Sequence, residues 1–144
     1  MATQTTLLDM ESKPQTYEIV FDGGSLGNPG KGYGSYEITS NGTTVDRQSE
    51  IQYGDAITNN QAEYLTLIHA LRWLKQHLGA NSSAASVAIL GDSKLVLMQS
   101  QGKWKVNNEG LRPLNREVKE LLGTFGHTTL TWHARKHSVA RLGH

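Results

Sequence analysis

Three carboxylates stand where composition alone would not put them. Asp22 and Asp92 each follow a short apolar run, Tyr17–Phe21 and Ser86–Gly91, while Glu63 lies near the start of an amphipathic stretch. In open α/β sheets ligands collect outside the carboxyl ends of strands, so acids at two such ends invite a chemical reading. Steps of four, three and four residues align Glu63 with Leu67, Ala70 and Leu74, on the flank that packs toward a sheet. An acid on that flank is costly unless it is paired or coordinated. Singly, each has a plainer explanation: Asp22 as a turn residue, Glu63 as a charge in the first helical turn favoured by the helix dipole, Asp92 as an extra cap for the next helix. Jointly, three oxygen donors in a chain without cysteine suit a hard divalent cation such as Mg²⁺ or Mn²⁺, which binds a few carboxylates and fills its other positions with water and phosphate. That is the donor set of a two-metal phosphodiester site, in which a shared carboxylate holds two ions roughly 4 Å apart.

Other candidate motifs are weaker. Six glycines fall within Gly23–Gly34, which raises phosphate binding because glycine lets backbone N–H groups approach an anion. A P-loop is excluded, since Ser25 stands where its first glycine belongs and Gly32 where Ser or Thr should follow Lys31. A dinucleotide fingerprint needs a helix after the loop, and a strand-like segment follows instead. Tight turns account for the glycines in any case and leave substrate contact open. Lys103-Trp104-Lys105 alternates cations with an aromatic, which suits phosphates plus sugar or base stacking, and suits equally a boundary Trp between two surface lysines. His133 and His137 have helical i, i+4 spacing, but Ala134 removes the zinc-protease pattern, and exposed surface is the plainer reading.

The elements that must position these residues can be read in order. Residues 1–16, with Pro14 and no periodicity, are expected to form a flexible leader, and 17–144 a single domain. Tyr17–Phe21 is a strand running into the turn residues Gly23 and Gly24, with Asp22 at its tip. Tyr33–Ile38 and Thr43–Ile51 read as two more strands joined through Asn41-Gly42, a strong hairpin signal. Apolar residues at Tyr64, Leu67, Ile68, Leu71, Leu74 and Leu78 define a helix from Asn59 that stops at Gly79, with Thr58 and Gln61 placed as a capping box. Ser86–Gly91 is expected to be an interior strand covered on both faces. Ser93 caps a second helix to about Gln101, residues 111–122 form a third, and Thr128–Trp132 a last strand followed by a short tail. The order is βββαβααβ, the pattern of an α/β domain.

Composition narrows the classes further. The chain of 144 residues carries a net charge of +1. That balance hides a split, with 5 basic and 10 acidic side chains in residues 1–93 against 9 basic and 3 acidic in 94–144. One part of the fold thus gathers carboxylates while another offers a surface to a polyanion, or else charged helix faces simply meet water. No apolar run approaches the roughly 18–20 residues of a membrane span, and no signal segment opens the chain. Without cysteine there is no disulfide framework, zinc ribbon or thiol nucleophile. A cytoplasmic monomer with no obligate protein partner is the plain expectation, and the sequons at Asn41 and Asn81 read as accidental.

From about residue 17 to near its C-terminus the sequence resembles type 1 ribonuclease H. Phe21-Asp22-Gly23-Gly24-Ser25 with Gly27-Asn28-Pro29-Gly30 is similar to the family's first motif, and Thr58-Asn59-Asn60-Gln61-Ala62-Glu63 to its second. Gly91-Asp92-Ser93, continued by Leu95-Val96 and Gly102-Lys103-Trp104-Lys105, resembles the third. The resemblance implies the ribonuclease H-like fold, a five-stranded mixed sheet in the order 3-2-1-4-5 flanked by helices, in the short form without a basic protrusion. It implies cleavage of the RNA strand of RNA–DNA hybrids, with two Mg²⁺ or Mn²⁺ ions, to 5′-phosphate and 3′-hydroxyl ends. Asp22 would bridge both metals, and Glu63 and Asp92 would complete the ion on the leaving-group side. Gly23, Gly24, Asn28, Asn59 and Asn60 match hybrid-contacting positions, Gly23 near the RNA 2′-hydroxyl, and Thr58 matches a DNA-phosphate contact. Lys103, Trp104 and Lys105 join that surface.

One motif departs from the family. Its C-terminal segment R-x-x-N-x-x-A-D aligns with Arg135–Leu142, leaving Leu142 where a fourth, metal-holding carboxylate belongs. The imidazole or the terminal carboxylate of His144 is the substitute the remaining residues offer. Two functions therefore stand: a metal-dependent hybrid-specific endoribonuclease, or a catalytically weakened module that binds hybrid or duplex RNA.

Overall fold

The computed structural model describes residues 15–143, so residues 1–14 of the expected leader and His144 lie outside the described residues. Strands β1 (Gln15–Leu26), β2 (Gly30–Ser40) and β3 (Thr43–Ile57) form an antiparallel meander, and β4 (Ala85–Gly91) and β5 (His127–Trp132) extend the sheet in parallel from β1. The sheet order is β3-β2-β1-β4-β5, as the resemblance implied. Helices α1 (Asn59–Leu78), α2 (Lys94–Ser100), α3 (Arg112–Leu122) and α4 (Arg135–Leu142) complete the fold, with a 3-10 turn at Gly79–Ala84.

The β1–β2–β3 strands are longer than local patterning shows. β1 opens at Gln15 because Gln15 and Thr16 already pair with Ala85 and Ser86 of β4, so these two residues belong to the sheet and not to a leader. It also runs past Gly23 and Gly24 to Leu26, held by antiparallel pairing to β2 as far as Lys31. Glycine masks the alternation there, and the turn lies at Gly27–Pro29 instead. β3 likewise continues from Ile51 to Ile57, through register shifts that erase a period of two. Asn41 and Gly42 both adopt positive φ, the primed hairpin turn that Asn-Gly favours.

One face of the sheet carries the main core. Ile19 and Phe21 of β1, Tyr36 and Ile38 of β2 and Val87 and Ile89 of β4 are all buried against the stripe Tyr64, Leu67, Leu71 and Leu74 of α1. α3 packs on α1 through Val118 and Leu121. Burying each such Leu is worth roughly 1.5–3 kcal/mol, which is why α1 docks so firmly. The capping box at the head of α1 is present in full: Gln61 N–H donates to Thr58 Oγ1 at 3.1 Å and Thr58 N–H to Gln61 Oε1 at 2.9 Å.

The other face is covered only in part. β4 alternates buried Val87 and Ile89 with half-buried Ala88 and Leu90, so it is interior in the sheet but not sealed on both faces. The reason is α4, which is only eight residues long and lies across β1 and β2. This helix replaces the expected short tail. Its signals are faint: Ser138 and Leu142 share one face, and Gly143 closes it in the left-handed region with N–H donated to the Val139 carbonyl.

Candidate metal and nucleic-acid site

The parallel ladder between β1 and β4 ends at the pair Phe21–Gly91, and the next residue on each strand is an acid. Asp22 is therefore mid-strand with respect to β2, where it pairs with Ser35, yet at the end of the strand with respect to β4. Asp92 follows Gly91 on the same side. Glu63 comes to this point from α1 as the helix's fifth residue, beyond the first turn, so attraction to the N-terminal dipole does not explain it. Oxygen atoms of Asp22, Glu63 and Asp92 all lie within 4.8 Å of one another.

Gly23 makes that approach available. A Cβ on it would stand 2.6 Å from the Ala62 carbonyl group and 2.7 Å from the Glu63 nitrogen. With hydrogen in its place, β1 closes onto α1 and the Gly23 N–H donates to Glu63 Oε1 at 2.6 Å. Asp92 is oriented from the other side, its backbone carbonyl accepting the Trp132 indole N–H at 3.1 Å. Ser93 caps α2 through its side chain, which leaves Asp92 free of the capping role considered for it.

Three acids so close are electrostatically costly. Burial and the adjoining Asp22 carboxylate push the Glu63 carboxyl well above the usual carboxylate range. Burial, with Asp22 again, pushes Asp92 up to about 6, against a smaller opposing pull from Arg135 and the Ser138 hydroxyl. Glu63 Oε2 and Asp92 Oδ2 are buried and have no hydrogen-bond partner among the described residues. Buried acceptors are almost always satisfied, so two orphans within one cluster of three acids mark a place where a cation would complete the structure. The residues present thus fit a divalent metal.

The expected nucleic-acid residues divide into groups. Asn28, Asn59 and Asn60 are exposed, on the rim beside the acids. Asn59 Oδ1 accepts the Ser25 N–H at 2.7 Å, and the Asn59 N–H donates to Asn28 Oδ1 at 2.9 Å, so this pair staples the β1–β2 turn to the head of α1. Thr58 is half-buried and spends its hydroxyl on the cap. Gly24 is buried under Tyr33, whose hydroxyl would lie 2.6 Å from a Cβ built there, and so does not itself form part of the open surface. Lys103, Trp104 and Lys105 project from the loop between α2 and α3, Trp104 with 43% of its surface exposed.

Several residues beside the acids escaped sequence reasoning. Trp132 is half exposed against the backbone of Asp92, and Ser138 is fully buried at the same point. Ser138 Oγ lies 2.8 Å from His133 Nε2, which gives His133 a partner where bare surface was the expectation. Leu142, one helical turn after Ser138, is buried. α4 thus meets Asp92 with the Arg135 charge and the Ser138 hydroxyl, and His144 lies outside the described residues. The alignment of Arg135–Leu142 with the family's C-terminal motif and the i, i+4 spacing of Ser138 and Leu142 were the signals available for this.

Comparison with known proteins places the geometry in a lineage. The family model described as RNase H matches residues 14–141. The Bifunctional protein Rv2228c of Mycobacterium tuberculosis is 39% identical over 115 residues, which is 79% of this chain and 30% of that protein. Ribonuclease HI of Halobacterium salinarum is 35% identical over 111 residues, covering 77% of this chain and 53% of that protein. This chain accordingly spans 30% of the first relative and 53% of the second. Among solved structures, LC11-RNase H1 in complex with RNA/DNA hybrid superposes with a TM-score of 0.78 at 29% identity, over 88% of this chain and 91% of that one. The loop between α2 and α3 holds no inserted helix, as in a short form of the fold. A family model spanning nearly every described residue, on a sheet whose end gathers three acids, leads to one conclusion: this chain belongs to the ribonuclease H family.

Proposed function

We propose that the chain is an endoribonuclease that hydrolyses the RNA strand of RNA–DNA hybrids, leaving 5′-phosphate and 3′-hydroxyl ends. The observation that carries this reading is the convergence of Asp22, Glu63 and Asp92, with two buried carboxylate oxygens lacking partners. Asp22, Glu63 and Asp92 would together hold two Mg²⁺ or Mn²⁺ ions. Such ions, when bound, activate the attacking water and stabilise the leaving oxygen. The family membership and the hybrid bound in LC11-RNase H1 support the substrate class.

The chain's own residues supply orientation. The Gly23 N–H holds one Glu63 oxygen in place, while the Trp132 indole fixes the backbone of Asp92. Gly23, Asn28, Asn59 and Asn60 line the rim where the RNA strand would lie, and a contact with its 2′-hydroxyl would separate RNA from DNA. Thr58 would meet a DNA phosphate, and Lys103, Trp104 and Lys105 would carry the duplex farther along. Among the described residues no helix is long and apolar enough to cross a membrane. A cytoplasmic monomer is part of the same proposal.

End-labelled hybrid, single-stranded RNA and duplex DNA, each offered in Mg²⁺ and in Mn²⁺, test it directly. Hybrid alone is expected to be cut, and Asp22→Asn to abolish cutting by at least about a thousandfold while the fold persists by circular dichroism. Undiminished cleavage by Asp22→Asn would sink the assignment, and tight binding without turnover would make the chain a binding module. Equal cutting by a chain lacking His144 would show that three carboxylates suffice.

A further inference from the structure

The loop that carries Lys103, Trp104 and Lys105 has no regular structure, yet it is fastened from below. Its first turn folds back on α2, the Lys103 and Trp104 N–H groups both donating to the Met98 carbonyl at 3.0 and 3.3 Å. Farther along, the Gln99 side-chain amide donates to the Lys105 carbonyl at 3.1 Å, and Arg112 Nε donates to the Val106 carbonyl at 3.1 Å. With these carbonyls turned inward, the three side chains face outward.

Gln99 does not act alone. Its Oε1 accepts the Tyr64 hydroxyl at 2.8 Å, and Asn115 Nδ2 donates both to that hydroxyl and to the Gln99 carbonyl, each at 3.1 Å. Tyr64, Gln99 and Asn115 come from α1, α2 and α3, and all three are buried. A polar cluster in an apolar core is kept only when its groups are satisfied, and then it specifies one arrangement. Tyr64 also follows Glu63 directly, so a single helix sets both the metal-facing acid and the root of this cluster.

We infer that Tyr64, Gln99 and Asn115 are positioning residues for nucleic-acid binding, a buried cluster that holds the Lys103–Lys105 loop pre-shaped at a fixed distance from Glu63. A platform ordered in advance loses less freedom on binding than a loose loop, so its effect falls on affinity and not on the chemical step. This rests on the reading that Lys103, Trp104 and Lys105 contact the hybrid.

The test compares Gln99→Met, which keeps side-chain length but removes the amide, with Tyr64→Phe, which keeps the ring in the core and removes only the hydroxyl. Trp104→Ala serves as the control. Hybrid affinity is measured by fluorescence anisotropy with Ca²⁺ in place of Mg²⁺, and KM and kcat are measured in Mg²⁺. Acrylamide quenching of the Trp104 emission, isolated by difference from Trp104→Phe, reports the loop itself. For both cluster variants we expect Kd and KM to rise about tenfold with kcat within about twofold, and Trp104 to become more quenchable, because preorganisation is what is lost. Thermal melts confirm that each variant is folded, and Tyr64→Phe carries the test should Gln99→Met not fold. Unchanged affinity and quenching in a folded cluster variant, with Trp104→Ala weakened, would overturn this inference alone. Unchanged affinity in Trp104→Ala would overturn the binding role of the loop and the inference with it.

Discussion

Asp92 shows how a site stores unfavourable charge until a ligand relieves it. Burial and the Asp22 carboxylate raise its folded-state value from 3.8 to about 6, so the protonated form is the one the fold favours. Such a group contributes stability that is fully present below its unfolded pKa and is lost as pH rises through about 6. The metal-free chain should therefore be gaining strain from this residue between pH 4 and pH 7, and Asp92→Asn should remove it. At pH 8 in EDTA that variant should be more stable than wild type by about 1–2 kcal/mol, allowing for partial exposure, and at about pH 3, below the unfolded pKa, the difference should vanish. Melts of the two proteins at both pH values check this. Glu63 shifts in the same direction, so Mg²⁺ affinity should fall as pH drops below about 6, with protons competing for the ligands. Calorimetric titration at pH 5.5 and 8 reads that change. That these acids meet was legible from their types, from the strand ends that Asp22 and Asp92 follow and from the sheet-facing flank of the helix that carries Glu63. Their strain was not, because it depends on distances across the fold.

At the scale of elements, the join between β1 and α1 governs the site. The capping box at Thr58 and the stripe from Tyr64 to Leu78 were readable because a helix repeats its environment every three or four residues. The path of β1 was not, since Gly23 and Gly24 erase the alternation, and only pairing with β2 shows that the strand continues. Gly23 matters there for what it lacks. Gly23→Ala would drive a methyl into the Ala62 and Glu63 backbone, and we expect a loss of about 3 kcal/mol in urea unfolding, at the upper end for overpacking. Mg²⁺ affinity should fall with it, because the Gly23 N–H would no longer hold Glu63. A stable variant with normal metal affinity would show that the close approach is dispensable.

Across the whole molecule, α4 is the piece whose docking rests on charge. Arg141 bonds Glu18 of β1 at 2.8 Å and Glu37 of β2 at 2.8 Å, while Arg47 of β3 bonds Glu37 at 3.1 Å and the Arg141 carbonyl at 2.9 Å. The helix is thus tied to three strands, and Ser138 is held beside Asp92 by the same docking. These pairs are partly exposed, and each is worth no more than about 1 kcal/mol. Arg141→Met should lower global stability by about 1 kcal/mol yet speed amide exchange in 135–142 by tenfold or more, since local opening is controlled by local contacts. Hydrogen-exchange mass spectrometry resolves the two effects, and unchanged exchange in that segment would show that Leu142 and Ser138 suffice to dock the helix.

By itself the sequence determined the acid set, the long helix and the order of the main elements. Each of those depends on side-chain chemistry or on a short-range period, and both survive in one dimension. Only the tertiary structure decided that β1 passes through Asp22, that α4 exists and meets Asp92 with Ser138, and that Tyr64, Gln99 and Asn115 close into one cluster. Those features join residues 16 to 51 positions apart in the case of the cluster and 104 and 123 apart in the case of Arg141. No period of two or 3.6 reaches that far, and the contacts come into being only when helices and strands pack.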